Sequence, residues 1–348
     1  MKRIAAFLIA AQAIFGTAVQ AGAQALPSKL EVKIKSKDHV QGMAVDTASR
    51  CFYLSFTTSL VKVDYEGNVL AQLDSINGHL GAMTFDASER KLYASLECKD
   101  DEIGQGIAKH LGKEVYTQDQ SRFYIAVVDV DRMAMQTYEV AEAIADYKTK
   151  YGCSGIDGVT IAPQIGKKKG KPRLYVAYGI YGDISRRDND HQILLEYRPD
   201  AFKPGVVSPK ASAKYFIYTG NTTWGVQNLC YDPKTGCIFM ASYAGKKPEF
   251  PNFSLFAVPV NQKPEKKVLR GLENDGEHLS LALWQQGLLS TVKGIRGWRF
   301  SDACTGICTL GDGTWFVSTP LKLRKGVQSA TILQLKWKGG SQENPFEL

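Results

Sequence analysis

The feature that most constrains the fold is a short unit that recurs along the chain in a fixed register. In each copy an aromatic residue follows a small or amide residue after 10 or 11 positions, and Ser or Ala follows the aromatic two positions later. The four clearest pairs are Gly42 and Tyr53, Ala82 and Tyr93, Asn228 and Phe239, and Gly306 and Phe316, and a looser copy joins Gly158 to Tyr175. Turn-forming residues separate the two halves of each copy. Each copy therefore predicts a strand, a tight turn and a second strand.

A strand–turn–strand unit repeated in register is typical of the blades of a β-propeller. A β-sandwich is the alternative, but its strands have no reason to repeat an aromatic and a small residue at one offset. We therefore predict an all-β chain in which residues 26–348 form a single β-propeller of four-stranded blades. Residues 30–35 alternate Val and Ile with Lys and Glu, which predicts a strand that completes the last blade and closes the ring.

The number of blades stays open between five and six. Five copies of the unit are plain, and residues 278–290 contain a degenerate apolar strand, a turn at Gly287 and a second apolar strand. The gap between the copies at Asn228 and Gly306 is long enough to hold a sixth blade.

The first 25 residues have the layout of a secretory signal peptide. Lys2 and Arg3 precede an apolar run over residues 4–14, and Ala23 and Ala25 form a small-x-small cleavage site. We expect the mature chain to begin near Leu26 and to be periplasmic or secreted. No later segment is apolar for long enough to span a membrane.

Charge and cysteine content narrow the expected partners. The net charge is +8, its positive residues are spread along the chain, and two of them lie in the predicted signal peptide. A nucleic-acid-binding protein would gather them on one face, so no nucleic-acid partner is expected. The seven cysteines match no zinc pattern and are expected to be small buried hydrophobes with at most one bridge.

The Gly-Met-Ala-Val-Asp run at residues 42–46, its turn and its aromatic strand resemble the blades of NHL, YVTN and SMP-30/gluconolactonase-like propellers. The resemblance implies a calcium ion in the central channel, held by Glu, Asn and Asp at the start of the innermost strands. That calcium polarises a lactone or ester and orients a water.

The equivalent channel positions in this chain are Gln41, Gly81, Asp157, Gln227 and Thr305. Asp157 is the single carboxylate among them and is the predicted metal ligand and catalytic acid–base group. Gln41 and Gln227 are predicted to bind the ligand. Glu277 would be a second carboxylate if the sixth blade exists. Because Ca²⁺ takes 6–8 oxygen ligands, this set is a poor calcium cage.

Two histidines share one position of the repeat, each two residues before a channel position. They are His39 and His79, and histidine is the natural general base near neutral pH. They are candidate catalytic residues; the alternative is that both are loop residues or cap a turn.

The densest polar segment runs over residues 178–191. Arg186, Asp188, Asp190 and His191 are its candidate ligand-binding residues, because carboxylates can ligate a cation and Arg can hold an anion. The alternative is a solvated loop with internal ion pairs.

The sequence leaves two classes of function open for this exported, monomeric propeller. The first is a module that binds a small molecule, a glycan or another exported protein at the mouth of its channel. The second is a metal-assisted hydrolase or lyase of the lactonase type.

Overall fold

The strands pair into five blades around a central channel. A computed structural model describes residues 26–348 apart from 148, 150–152, 154, 180–184, 186–189, 221–223, 273 and 274. The predicted signal peptide, Arg186 and Asp188 lie outside the described residues. The prediction of an all-β propeller is confirmed, and the described part of the chain contains no helix long and apolar enough to cross a membrane.

The first two blades are regular four-stranded sheets. The chain enters through β1 (Lys29–Glu31), and the first blade follows as β2 (Val40–Asp46), β3 (Cys51–Phe56), β4 (Ser59–Asp64) and β5 (Val69–Leu73). The second blade consists of β6 (His79–Asp86), β7 (Lys91–Cys98), β8 (Arg122–Asp129) and β9 (Ala134–Glu139). Helix α1 (Glu102–His110) lies between β7 and β8, and α2 (Ala141–Asp146) follows β9.

The third and fourth blades carry the irregular part of the fold. The third is built from β10 (Gly158–Pro163), β11 (Pro172–Gly179), β12 (His191–Tyr197) and β13 (Ala213–Tyr218). The fourth is built from β14 (Val226–Asp232), β15 (Cys237–Ser242) and β16 (Leu255–Pro259). The next strands are β17 (Glu265–Leu269), β18 (Gly276–Leu281), β19 (Leu288–Ser290) and β20 (Ile295–Gly297). Directly after β20, Trp298 pairs with Leu255 and so supplies the outer edge of the fourth blade.

The fifth blade is closed by the N-terminal strand. It contains β21 (Ile307–Thr309), β22 (Thr314–Arg324) and β23 (Val327–Trp337), and β24 (Phe346–Glu347) pairs with the end of β23. Strand β1 pairs antiparallel with β23, with Leu30 opposite Ile332. Ring closure by the N-terminal segment is therefore confirmed, although the paired strand is shorter than the predicted residues 30–35.

The sixth blade does not form. Strand β18 pairs with β13 and β17 and extends the third blade outward, while β19 forms a separate hairpin with β20. Glu277 consequently lies on the fifth strand out from the channel, where it is exposed and 3.6 Å from Lys266. Its proposed place in the channel was wrong, because an apolar strand–turn–strand pattern does not specify which sheet its strands join.

The repeat explains how neighbouring blades are held together. Each of its aromatic residues is buried in a hydrophobic cluster shared with a neighbouring blade; for example, Tyr53 packs with Leu80 and Met83 of the second blade. The repeated serines add hydrogen bonds. Ser55 Oγ donates to the Gly81 carbonyl at 2.6 Å, and Ser95 Oγ donates to the Asp157 carbonyl at 3.1 Å.

The cysteines all lie among the described residues, and all seven are free thiols. Six are buried, and the seventh, Cys308, is partly buried. Burial raises the pKa of both Cys304 and Cys308, which suits small apolar core residues more than reactive thiolates.

Candidate functional site

A cavity of about 440 Å³ opens at the end of the channel where the innermost strands begin. Five residues selected from the sequence line it together: His39, Gln41, His79, Asp157 and Gln227. We call this space the mouth cavity. The shared register of the repeat explains the convergence, because equivalent positions at the start of each innermost strand meet around one axis.

Asn228 directly follows Gln227, one of the residues that line this cavity. Its buried side-chain amide donates to the Cys304 carbonyl at 2.8 Å and to the Gln41 carbonyl at 3.1 Å. These bonds tie the fourth blade to the first blade and to the short 3₁₀ turn Ser301–Thr305 that precedes β21. We call this buried cross-link, which lies beside the lining residues Gln41 and Gln227, the floor of the cavity. A separate cavity is lined by residues further along the innermost strands, such as Met43, Met83 and Leu229.

Three potential ligand groups meet on one side of the mouth cavity. His79, Glu97 and Asp157 each place one nitrogen or oxygen within 4.8 Å of those of the other two. The Nδ1 atom of His79 lies 3.8 Å from Oε2 of Glu97, and Gln227 Nε2 donates to Oδ2 of Asp157 over 3.4 Å. Glu97 is almost completely buried, at 2% exposure.

Lys99 supplies the positive charge beside this cluster. Its ammonium lies 2.8 Å from Oε2 of Glu97 and 3.1 Å from Oδ2 of Asp101. Asp101 also caps α1, because its Oδ1 accepts a hydrogen bond from Gly104 N at 2.9 Å. The N-terminus of α1 thereby fixes the position of Lys99. Although burial works against the charged form, the carboxylates of Glu97 and Asp101 raise the pKa of Lys99, which stays protonated.

The crowding of acidic groups perturbs protonation. Burial, and then the negative charge of Glu97, raise the pKa of Asp157 to about 7, against the opposing effects of His79 and Lys99. Burial acts to lower the pKa of His79, but Glu97 and Asp157 outweigh it and the pKa is raised. Perturbed titration of several groups in one cavity is typical of functional sites.

His39 is held in its neutral form. Burial and the neighbouring His79 lower its pKa, with Asp38 opposing them. The amide of Gln41 lies 2.8 Å from Nε2 of His39, so the ring nitrogen accepts a hydrogen bond from it. A neutral imidazole suits a general base, although this nitrogen is engaged by Gln41 in the structure.

An aromatic wall faces the polar groups. Trp224 and Tyr243 both line the cavity, and their rings meet edge to face with centroids 6.1 Å apart. Trp284 and Trp298 instead belong to the packed cluster between the fourth and fifth blades. The lining of the mouth cavity thus combines polar and charged groups with aromatic rings.

Sequence reasoning missed Glu97 and Lys99 because they lie at the end of the second strand of the blade, whereas the search covered the start of the innermost strand. A signal was nevertheless present. Polar residues stand at 95, 97 and 99, every second position, at the end of the otherwise apolar β7. Alternate residues of a strand lie on the same face of the sheet. Glu97 and Lys99 therefore continue the face that carries Ser95, and this face leads to the cavity.

Two described residues of the polar segment over residues 178–191, Asp190 and His191, have partners outside the mouth cavity. Asp190 forms a buried ion pair with Lys247, whose Nζ lies 2.6 Å from Oδ1. His191 begins β12 and its ring contacts Tyr218, with centroids 5.4 Å apart. Neither residue is among those lining the mouth cavity, and their predicted part in ligand binding stays a prediction.

The calcium cage of the lactonase-like propellers does not fit this chain. Of the five channel positions, Gly81 has no side chain, and the hydroxyl of Thr305 donates to the Ser318 carbonyl at 2.7 Å. Asp157 alone offers a carboxylate. One carboxylate with two amides falls short of the 6–8 oxygen ligands that calcium takes.

Comparison with known proteins assigns no family to this chain. No protein family model matches the chain, and no curated protein matches it. The chain is similar to a functionally unknown protein from Desulfotomaculum acetoxidans DSM 771, with 10% identity and a TM-score of 0.38, over 86% of this chain and 65% of that one. It is also similar to the β-propeller domain of Myceliophteria thermophila Cps50 (Swd1), with 8% identity and a TM-score of 0.33, over 84% of this chain and 82% of that one. The strand pairing itself defines the class: this chain is a five-bladed β-propeller.

Proposed function

We propose that this protein is an exported β-propeller that binds a small polar molecule, or the terminal unit of a glycan, in the mouth cavity. One observation carries the proposal: the five polar residues at the mouth of the channel line a single cavity together with the buried Glu97 and Lys99. Packing of the blades alone does not require so many hydrogen-bonding side chains at a solvated end of the channel.

The size and chemistry of the cavity indicate the kind of ligand. Its volume of about 440 Å³ lies within the range of roughly 300–1,000 Å³ typical of small-molecule pockets. The flat rings of Trp224 and Tyr243 suit the apolar face of a sugar or aromatic ring, while Gln41, Gln227 and the charged groups suit its polar edge. An intact protein partner would contact the rim alone.

Export and a monomeric state complete the proposal. The layout of residues 1–25 supports cleavage before Leu26, and N-terminal sequencing of protein recovered outside the cytoplasm tests it. Exported material that still begins at Met1 would contradict export through a cleaved signal. Light scattering on the purified protein tests the monomer.

The binding proposal is tested with a panel of monosaccharides, their aldonic acids and simple aromatic acids. Binding is followed by thermal shift and by quenching of Trp224 fluorescence. We expect Gln227→Leu to weaken binding of the active compound about 5–10-fold through loss of a hydrogen bond to it. Gln285→Leu is the matched control, because Gln285 is exposed and outside the cavity. Binding that is unaffected by Gln227→Leu, or a panel without a binder, would contradict the proposal.

A metal-assisted hydrolase or lyase related to the SMP-30-like and NHL propellers is the second candidate. The gathering of His79, Glu97 and Asp157 within 4.8 Å favours it, since such groups serve in metal and acid–base catalysis. Turnover of a panel of aldonolactones, measured by pH-stat with and without added divalent metal, tests it. Activity that survives Asp157→Asn would refute this assignment of the catalytic group.

A further inference from the structure

We infer that the mouth cavity contains a divalent transition-metal site, for Zn²⁺ or Mn²⁺, formed by His79, Glu97 and Asp157. The inference goes beyond the proposed binding of an organic ligand, because the ion would bind when no such ligand is present. It also differs from the lactonase-like calcium cage, which uses only residues at the start of the innermost strands.

The three groups come from separate elements that the fold brings together. His79 begins β6, Glu97 lies near the end of β7, and Asp157 immediately precedes β10. Their ligand atoms lie within 4.8 Å of one another, whereas atoms bound at about 2.1 Å to one ion are at most about 4.2 Å apart. Side-chain rotations that move the ligand atoms by about 1 Å would therefore complete the site, and the backbone need not move.

Unused ligand atoms provide the second observation. In the described part of the chain, the buried Nδ1 of His79 and Oε1 of Glu97 have no hydrogen-bond partner. A buried carboxylate oxygen without a partner carries a large desolvation cost, and such groups in a native protein call for an explanation. Gly155, at a φ of +119°, lies against Oε1, where the Cβ of any other residue would collide with the carboxylate. The chain thus leaves room for a buried carboxylate that Lys99 pairs on one oxygen, Oε2, while Oε1 has no partner among the described residues.

The charge around the cavity favours a cation. Glu97, Asp101 and Asp157 face the single ammonium of Lys99, which approaches Oε2 of Glu97 and Oδ2 of Asp101. When ionised, these carboxylates leave an excess of negative charge in a partly desolvated space. A divalent ion would neutralise it, while the three side chains leave further coordination positions for water or an oxygen from a bound ligand.

The donor set selects the class of metal. Carboxylates alone suit Ca²⁺ and Mg²⁺, whereas imidazole suits Zn²⁺, Fe²⁺ and similar ions. One imidazole with two carboxylates therefore favours Zn²⁺ through its nitrogen, or Mn²⁺, a transition-metal ion that carboxylates also suit, over Ca²⁺.

The test uses the full mature chain without a polyhistidine tag, stripped with EDTA and titrated calorimetrically with ZnCl₂, MnCl₂ and CaCl₂. We expect one Zn²⁺ or Mn²⁺ per chain and weaker binding of Ca²⁺. His79→Gln and Glu97→Gln should each weaken binding by at least about 100-fold, beyond the 10–100-fold typical of residues that only support a ligand. The matched controls are His110→Gln and Glu277→Gln, which replace exposed residues of the same types.

A second measurement keeps the inference testable if the buried Glu97 variant fails to fold. Substoichiometric Mn²⁺ added to ¹⁵N-labelled wild-type protein should broaden amide signals at the start of β6, the end of β7 and the start of β10. Signals of the β22–β23 hairpin should stay sharp. Absence of stoichiometric binding, a preference for Ca²⁺, broadening centred elsewhere, or unchanged affinity in His79→Gln would each overturn the metal site. None of these results depends on whether an organic ligand binds, so the two proposals can fail separately.

Discussion

Closure of the ring by β1 should stabilise all five blades, and small changes in this strand test that expectation. Leu30 and Val32 are 6% and 4% exposed and pack in the cluster between the fifth and first blades. Backbone bonds join the same segment to β23, including Val32 N to the Ala330 carbonyl at 2.9 Å. The perturbations are Leu30→Ala, Val32→Ala and deletion of residues 26–37.

The magnitude follows from the buried side chains. Burying a Val or Leu side chain contributes about 1.5–3 kcal/mol, so removing both should cost about 3–6 kcal/mol. Leu30→Ala alone should cost about 2–3 kcal/mol, at the low end for core Leu→Ala changes because β1 lies at a sheet edge. Against a total stability of about 5–15 kcal/mol, the deletion removes much of what holds the ring together.

Urea unfolding monitored by tryptophan fluorescence separates global from local effects. Trp298 and Trp315 report on the cluster between the fourth and fifth blades, and Trp298 contacts neither β1 nor the first blade in the aromatic packing. If closure is global, this signal should shift to lower urea in a single transition. Leu323→Ala is the control, because Leu323 is exposed on the β22–β23 hairpin. An unchanged midpoint after deletion of residues 26–37 would refute closure as a source of stability.

Two further predictions concern the floor of the cavity and the pH dependence of stability. Asn228→Leu should cost about 2–4 kcal/mol of unfolding free energy in urea, because two buried carbonyls lose their donor; an unchanged value would remove its role as a tie between blades. Burial lowers the pKa of His191 to about 4, below its usual 6.5 in the unfolded chain, so its stabilising contribution is complete above pH 6.5. That contribution, at most about 3 kcal/mol, should be lost as the pH falls from about 6.5 to 4. His191→Phe should flatten this part of a stability-against-pH curve, and an identical curve in the variant would contradict the assignment.

The fold was predictable because the spacing of the repeat reflects the packing of each blade against its neighbour. An aromatic that packs against the neighbouring blade, such as Tyr53, must recur at one offset from the innermost strand. The same register placed Gln41, Asp157 and Gln227 at one end of the channel. The blade count was not predictable, because the apolar pattern of a strand such as β18 does not indicate which sheet the strand joins.

The missing parts of the site depend on contacts distant in sequence. Glu97 and Asp157 are 60 positions apart, and their proximity requires two blades to assemble. Asp190 looked like a candidate ligand in its polar segment, yet its partner Lys247 lies 57 positions further along. Such pairings arise from the tertiary fold; the alternation of polar residues at 95, 97 and 99 marks a face of the strand but does not identify the residues that it meets.

Replacing Asp157 with Asn tests the central claim, that the mouth cavity is a built binding site, most directly. The change keeps the shape of the side chain and removes one of the carboxylates crowded within 4.8 Å. The hydrogen bond that its side chain accepts from Gln227 Nε2, at 3.4 Å, is long for one that stabilises a fold. The structural contribution of its charge is therefore expected to be small.

The measurement is the urea unfolding free energy of wild-type protein and Asp157→Asn, each with and without saturating Zn²⁺ or Mn²⁺. Wild-type protein should gain about 2.7 kcal/mol at a metal concentration 100 times the dissociation constant. The account predicts that the metal-free variant is as stable as wild type, or more stable, and that it gains nothing from the metal. A variant that loses more than about 1 kcal/mol without metal, the scale of a lost structural hydrogen bond, yet responds to metal as wild type does, would contradict the account.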